Sequence, residues 1–363
     1  MTVLYGHDEP TQCPVISDER MREILRDEYG ITAAKITHLT GYEDCNMRLD
    51  DIEYDTKMTR FMKVKPEKAI VKVTNPIEAR NEAHMELQHQ CYTALRKAGI
   101  PTVSLVPRLD GLDWASFEVL PGMSLPVRLF QLLPGSNLEN FQFTPELCRK
   151  IGALLAGIHK VFDSMHVEKS QEPHVPFISP ENHHCLAREA QILVYKKMLS
   201  DERFQLVQRI FKDVQETVLD QPQLDYGLIH SDINETNILV DEVDGETKLT
   251  GVLDFGDMHF SHRVFDIGAS ILYLHLSDKD QIPLEHLEED ILAGYRSVRD
   301  FKEQAKIPAA MRARLAGSLI YGLRTARLNV RGGSLEYVLR TQSNGWKVLE
   351  ELSKDLPNGD PSP

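Results

Sequence analysis

An aspartate, an asparagine five positions further on and a second aspartate after an apolar run are the residues of this chain best spaced to do chemistry. They lie in His230-Ser-Asp232-Ile-Asn-Glu-Thr-Asn237 and in Leu253-Asp254-Phe-Gly-Asp257. The first segment reads H-x-D-x-x-x-x-N and the second contains D-F-G. In a phosphoryl-transfer site, such an aspartate accepts the proton of an attacking hydroxyl, while the asparagine and the second aspartate hold the metal. Mg²⁺ prefers hard oxygen ligands and keeps several waters, so Asn237 and Asp254, together with nucleotide phosphates, would satisfy it without a protein cage. Asp232 is the expected catalytic carboxylate.

These loops need strands to hold them. Leu228-Ile229, Ile238-Leu239-Val240 and residues 250–253 are short apolar runs that read as strands flanking the two loops. The competing reading, in which Asp232 and Asn237 only cap a turn, does not account for the second motif following in the right order. His230 is expected to fix the loop structurally. Asp266, in Val264-Phe-Asp-Ile-Gly268, either bonds the catalytic-loop backbone or is a simple N-terminal helix carboxylate. Asp257 either joins the metal shell or faces a cationic substrate. A cation for the phosphates is offered by Lys72, flanked by Ile70, Val71 and Val73 in a predicted strand. Burying it unpaired is costly, so a carboxylate of the following helix should meet it, with Glu86 preferred and Glu78 and Glu82 as alternatives.

Elsewhere the pattern predicts a lead-in helix over 17–29 stopped by Gly30, then three strands within 34–74 with a hairpin-like excursion between the second and third. A helix should run from Asn75-Pro76 to about Lys97, followed by strands near 105–109, 115–119 and 127–133. Pro134-Gly135 is the candidate connection between two lobes. Beyond it the chain reads as mainly helical, opening at Thr144-Pro145 with Leu147, Ile151, Leu154, Ile158 and Phe162 on one face. Further helices are expected at 186–199, 202–218, 264–276, 285–302, 308–329 and 334–352. The expected fold is α+β, with residues 1–133 forming a small antiparallel β-sheet lobe with one main helix that binds nucleotide. Residues 134–363 would form a larger, mainly helical lobe carrying the catalytic, metal-binding and acceptor-binding groups.

With 363 residues, 42% hydrophobic and 26% charged, the chain is long enough for two lobes and has an ordinary globular composition. A formal charge of −14 argues against a nucleic-acid partner, whose phosphates are bound by clustered Lys and Arg, and suits a cationic small substrate. Five scattered cysteines without C-x-x-C spacing read as reduced thiols. No run of eighteen apolar residues and no signal-peptide pattern is present, so no membrane association and a cytoplasmic location are expected. Residues 39–46, where a phosphate-covering loop belongs, hold one glycine, Gly41, and fail G-x-G-x-x-G.

Together these features resemble the aminoglycoside phosphotransferase-like kinases, a protein-kinase-like superfamily that tolerates a glycine-poor loop, over nearly the full length. Within that superfamily, Val127-Arg-Leu-Phe-Gln-Leu-Leu-Pro-Gly135, Arg96-Lys-Ala-Gly-Ile-Pro101, Gly251-Val-Leu-Asp-Phe-Gly-Asp-Met258 and Ser343-Asn-Gly-Trp-Lys347 are similar to the hydroxylysine kinase branch. The resemblance implies Mg²⁺- and GTP-dependent phosphorylation of the hydroxyl of 5-hydroxy-L-lysine. It also implies that Lys72 and Glu86 form the phosphate-binding pair, that Gln131, Leu132 and Leu133 are the hinge receiving the base, and that Asp232, Asn237 and Asp254 act as described above. Other hydroxylated amines, such as choline, ethanolamine, homoserine or an aminoglycoside, with ATP or GTP, are alternatives; so is a silent binding module, which the intact Lys72, Asp232, Asn237 and Asp254 oppose. The amino-acid substrate would need a cation for its carboxylate. Arg324 and Arg327 are placed for it, unless they merely form a solvated helix face.

Overall fold

Ser17 opens the first helix, α1 (Asp18–Tyr29), by accepting the amide of Arg20 at 3.1 Å, and Gly30 closes it at φ 64°. Met21, Ile24, Leu25 and Tyr29 are buried on one face, as their spacing predicts. The computed structural model describes residues 9, 13–39, 41, 43–277, 282–328, 339 and 341–357. Contacts divide the chain into two compact units. One comprises the described residues up to 85 and residues 102–133; the other comprises residues 86–101 and the described residues from 134 on. Residues 86–101, expected with the first lobe, therefore group with the chain after Pro134.

The smaller unit is built on a five-stranded antiparallel sheet in the order β1-β2-β3-β5-β4. Its strands are β1 (Ile31–Leu39), β2 (Cys45–Tyr54), β3 (Ala69–Val73), β4 (Trp114–Leu120) and β5 (Met123–Gln131). Alternation along β3 buries Ala69, Val71 and Val73 in the core with Met21, Ile24 and Leu25, so Ile70 and Lys72 project from the opposite face. Two expectations are corrected here. Residues 105–109 form no strand and make only an isolated bridge, Leu105 to Phe130, since Pro107 has no amide hydrogen with which to extend a ladder. The helix expected from residue 75 begins later, because Asn75 caps a single 3₁₀ turn (Glu78–Arg80) and Asn81 starts afresh by accepting the amide of His84 at 3.1 Å. The α-helix proper is α2 (Glu82–Lys97).

In the larger unit α3 (Pro145–Asp163) starts at Thr144, whose hydroxyl accepts the amide of Leu147 at 3.2 Å. Leu147, Ile151, Leu155, Ile158 and Phe162 are buried, with Leu155 in the place expected of Leu154. α3 crosses α7 (Leu284–Arg296) at very short range. A Cβ on Gly152 would lie 1.9 Å from the carbonyl oxygen of Ile291, and one on Gly294 would lie 1.9 Å from that of Arg149. The remaining helices are α4 (His183–Tyr195), α5 (Asp201–Val214) running into a π-helical turn (Gln215–Leu219), α6 (Val264–Ser277), α8 (Ile307–Leu328) and α9 (Gln342–Leu352). The start of the helix expected over 334–352 lies outside the described residues. Two small sheets carry the loops: β7 (Tyr226–Ile229) pairs with β10 (His259–His262), and β8 (Ile238–Val243) lies between β6 (Ser136–Asn137) and β9 (Glu246–Val252). β10 was not anticipated, its polar sequence His-Phe-Ser-His giving no strand signal. Among the described residues no helix is long and apolar enough to cross a membrane, and no two cysteines are joined by a disulfide.

Candidate active site

β7 delivers the chain into the loop 230–237 and β8 carries it away, so the loop is anchored by a ladder at each end. Its backbone is bent. Ser231 has φ 72° and Asp254, in the facing loop, has φ 55°, a region that L-residues occupy at a cost repaid elsewhere. The repayment comes from Asp266 on α6, fully buried, whose two carboxylate oxygens accept the amides of His230 at 2.7 Å and Ser231 at 2.6 Å. Of the two roles open to Asp266 in the sequence, the structure has the loop-anchoring one. His159 on α3 donates Nε2–H to the same carboxylate at 2.9 Å and accepts the Tyr295 hydroxyl on Nδ1 at 2.8 Å. Burial alone would raise the Asp266 carboxyl, but the His159 hydrogen bond and the neighbouring imidazoles hold it below the usual range.

His230 is structural, as expected. Its Nε2–H donates to the carbonyl of Leu253 at 3.0 Å and its Nδ1 accepts the amide of Asp232 at 3.2 Å, which selects one neutral tautomer. Burial lowers its pKa in keeping with that. The ring packs on Phe255, centroids 4.4 Å apart, so His230 and the D-F-G phenylalanine tie the two motif loops together. Asn234, which the sequence reading passed over, shapes the loop, its side-chain oxygen accepting the amides of Thr236 at 2.8 Å and Asn237 at 3.0 Å.

Asp232 and Asn237 come together. The Asn237 amide nitrogen donates to Asp232 twice, to its carboxylate at 2.7 Å and its carbonyl at 2.9 Å. Both partners are acceptors, so the NH₂ end must face them and the amide oxygen points elsewhere, without a hydrogen-bond partner among the described residues. Asp254 is exposed, and one of its carboxylate oxygens accepts the amide of Gly256 at 3.2 Å. Among the described residues no three Asp, Glu, His or Cys side chains converge on one ion. Asn237 and Asp254 offer hard oxygens only, a set that fits a divalent cation retaining water and phosphate ligands.

Arg314 of α8 was not foreseen. Nearly fully buried, it donates Nη2–H to the second carboxylate oxygen of Asp232 at 2.9 Å and Nε–H to the Tyr273 hydroxyl at 2.9 Å; that hydroxyl in turn meets Ser318 at 2.7 Å. Burial raises the Asp232 carboxyl, Arg314 opposes this and Asp254 adds to it, leaving a carboxylate more basic than usual. The Asp257 carboxyl is pushed up to about 6 by burial first and then by the charge of Asp232. Beneath Asp257 lies a buried ion pair. His259 donates Nδ1–H to the Asp257 carbonyl at 2.8 Å, and its Nε2 faces Glu181 at 3.7 Å. Burial opposes charge on both, yet their mutual attraction and hydrogen bonds prevail, holding Glu181 at about 2 and raising His259.

In the smaller unit the carboxylate beside Lys72 is Asp44, 2.7 Å from the ammonium. The other Asp44 oxygen accepts the backbone amide of Asn75 at 2.7 Å and its side-chain amide at 2.9 Å. Glu86, expected to pair with Lys72, belongs to the other compact unit and is exposed on α2. At the end of β5, the amide of Gln131 is bonded to Ser104 at 2.8 Å and that of Leu132 to Lys68 at 3.3 Å. The Leu133 amide has no hydrogen bond among the described residues. The solvated-face reading of the two arginines is corrected. Arg324 is buried against the rings of Phe177 and Tyr321, and Arg327 makes a two-pronged pair with the fully buried Glu189, at 2.8 and 2.9 Å.

Residues 54–301 match the APH phosphotransferase enzyme family. The chain is 26% identical over 353 residues to the hydroxylysine kinase of Mus musculus, covering 93% of this chain and 90% of that one. Among solved structures it is similar to a microcompartment-associated aminopropanol kinase, with TM-score 0.67, 17% identity and coverage of 94% and 100%. An amicoumacin kinase in complex with AMP-PNP and Ca²⁺ gives TM-score 0.66, 17% identity and coverage of 95% and 96%.

Proposed function

The chain belongs to the APH phosphotransferase enzyme family, and on that premise we propose that it transfers the γ-phosphate of GTP to the hydroxyl of 5-hydroxy-L-lysine with Mg²⁺. At the level of the family it is a small-molecule phosphotransferase with an alcohol acceptor and a nucleotide donor. The observation that carries the reading is the Asp232–Asn237 pair, in which one side chain presents a basic carboxylate and the other is turned so that its amide oxygen is available. The name shared by the relatives of similar length supports hydroxylysine as acceptor. A chain of charge −14 suits a substrate carrying two ammonium groups.

The acceptor hydroxyl is oriented by Asp232, which takes its proton as the new oxygen–phosphorus bond forms and the bond to the nucleoside diphosphate breaks. Asn237 and Asp254 would hold a divalent ion, whose charge would offset that of the phosphates. Lys72, steadied by Asp44, neutralises phosphate oxygens, with Glu86 as a second carboxylate of that assembly. The base is received along Gln131, Leu132 and Leu133, where the Leu133 amide is the available donor.

The test is transfer of labelled phosphate from GTP and from ATP to hydroxylysine, with lysine as the acceptor lacking the hydroxyl. Transfer to hydroxylysine alone, favoured with GTP, is expected. Phosphorylation of choline, ethanolamine, homoserine or an aminoglycoside in its place overturns the acceptor. Asp232→Asn should abolish turnover and retain nucleotide binding; turnover within tenfold of wild type removes Asp232 from its role.

A further inference from the structure

Among the described residues, the charged side chains around Asp232 are bonded to partners, save that of Asp257. Arg314 spends Nη2 on Asp232 and Nε on Tyr273. His259 spends Nδ1 on the Asp257 carbonyl and turns Nε2 to Ser179 and Glu181. Neither donates a hydrogen bond to the Asp257 side chain, although both charges act on it at longer range. Among the described residues it has no hydrogen bond or ion pair, although it is more than half buried and close enough to Asp232 to feel its charge. Its backbone, by contrast, is held by the His259 bond to its carbonyl, so the carboxylate stands on a rigid support.

A partly buried carboxylate without a directly bonded cation is costly in the empty protein, and a ligand that brings an ammonium into contact with it offsets that cost. The occupant must satisfy two neighbours at once, with a hydroxyl on Asp232 and a positive charge beside it for Asp257. A vicinal amino alcohol, in which the ammonium sits on the carbon next to the carbinol, has that shape. The 5-hydroxyl and terminal ammonium of hydroxylysine are related in this way.

We propose that Asp257 is the specificity residue of this site and reads an ammonium group vicinal to the acceptor hydroxyl. This rests on the reading of Asp232 as the group that orients the acceptor alcohol, and it deepens that reading from an alcohol to a 1,2-amino alcohol. Asp257 then acts on acceptor binding and not on the nucleotide, which distinguishes it from a metal ligand.

The experiment compares hydroxylysine with 5-hydroxynorleucine, identical but for the missing terminal ammonium, in wild type and Asp257→Asn. Equilibrium binding by calorimetry and kcat/KM are measured for each. Wild type should favour hydroxylysine by about 100-fold, and Asp257→Asn should reduce that preference to below about tenfold. The loss should fall on hydroxylysine, with hydroxynorleucine and the nucleotide KM changed less than about threefold. Equal losses on both acceptors, a raised nucleotide KM, or an undiminished preference in the variant would each overturn the assignment. So would failure of wild type to bind hydroxylysine and 1-amino-2-propanol alike. Binding that depends on Asp257 without any transfer supports the amino-alcohol site and refutes the transfer reaction, so the two failures are separable.

Discussion

Replacing Arg314 by Gln removes the side-chain cation that, among the described residues, is bonded to Asp232, while keeping a planar amide of similar reach. In the native arrangement the Nη2–Oδ1 bond of 2.9 Å is charge-assisted, and a bond of that kind contributes about 1.5–3 kcal/mol. Asp232 would retain its bond from Asn237 but would face Asp254 and Asp257 without compensation. If transfer requires Asp232 ionised and held in this orientation, the lost energy appears in kcat. At about 1.4 kcal/mol per factor of ten, that is a fall of about 10- to 150-fold. The nucleotide KM should move less than about threefold, since Arg314 bonds only Asp232 and Tyr273 among the described residues. Steady-state kinetics with saturating acceptor give both constants, and a thermal melt of the same preparation reports whether the fold is intact. Arg314→Lys keeps the charge but loses the fork and should recover part of kcat. A folded Arg314→Gln protein with kcat within threefold of wild type would refute the reasoning.

Asp266→Ala strips the acceptor from two loop amides and from His159 in a fully buried setting, and should cost about 3–5 kcal/mol in urea unfolding; a loss below about 1 kcal/mol would contradict the anchoring role. Asp44→Ala frees Lys72 from its 2.7 Å partner and should raise the nucleotide KM about tenfold with kcat changed far less, measured by GTP titration; the reverse pattern would remove Asp44 from phosphate binding. In the nucleotide-free protein, Asp257 carries a pKa raised from 3.8 to about 6, so the folded state binds its proton more tightly than the unfolded one. Its contribution to stability is therefore most favourable below pH 4 and declines as pH rises to about 6, by at most about 3 kcal/mol. Asp257→Asn should thus gain on wild type across that window in paired unfolding curves, and a constant difference between the two would count against the shift.

The chemistry was legible wherever it is written in one contiguous segment. Asp232 and Asn237 share a loop only five residues apart, so their hydrogen bonds follow from local geometry, and the apolar runs on either side were enough to predict the strands that hold them. The capped starts at Ser17 and Thr144 were equally readable, because a cap acts within three residues of itself. What joins distant segments was not. The Asp44 beside Lys72 was not foreseen: the register of β2 against β3 sets Cys45 opposite Val73 and so brings Asp44 to the lysine. Pairing register is a property of two strands together, and neither states it alone.

Arg314 makes the same point more strongly. α8 holds Arg312, Arg314, Arg324 and Arg327, indistinguishable as residue types, yet one meets Asp213, one meets Asp232, one is packed between aromatic rings and one is paired with Glu189. The sequence by itself determined the reaction type, because Asp232, Asn237 and Asp254 lie within short loops whose spacing is the signal. Only the tertiary structure decided which arginine bonds Asp232, and that the Asp257 carboxylate beside it has no bonded partner among the described residues. Those outcomes depend on helix packing and on the desolvation of charges far apart in the chain, and local pattern carries no information about either.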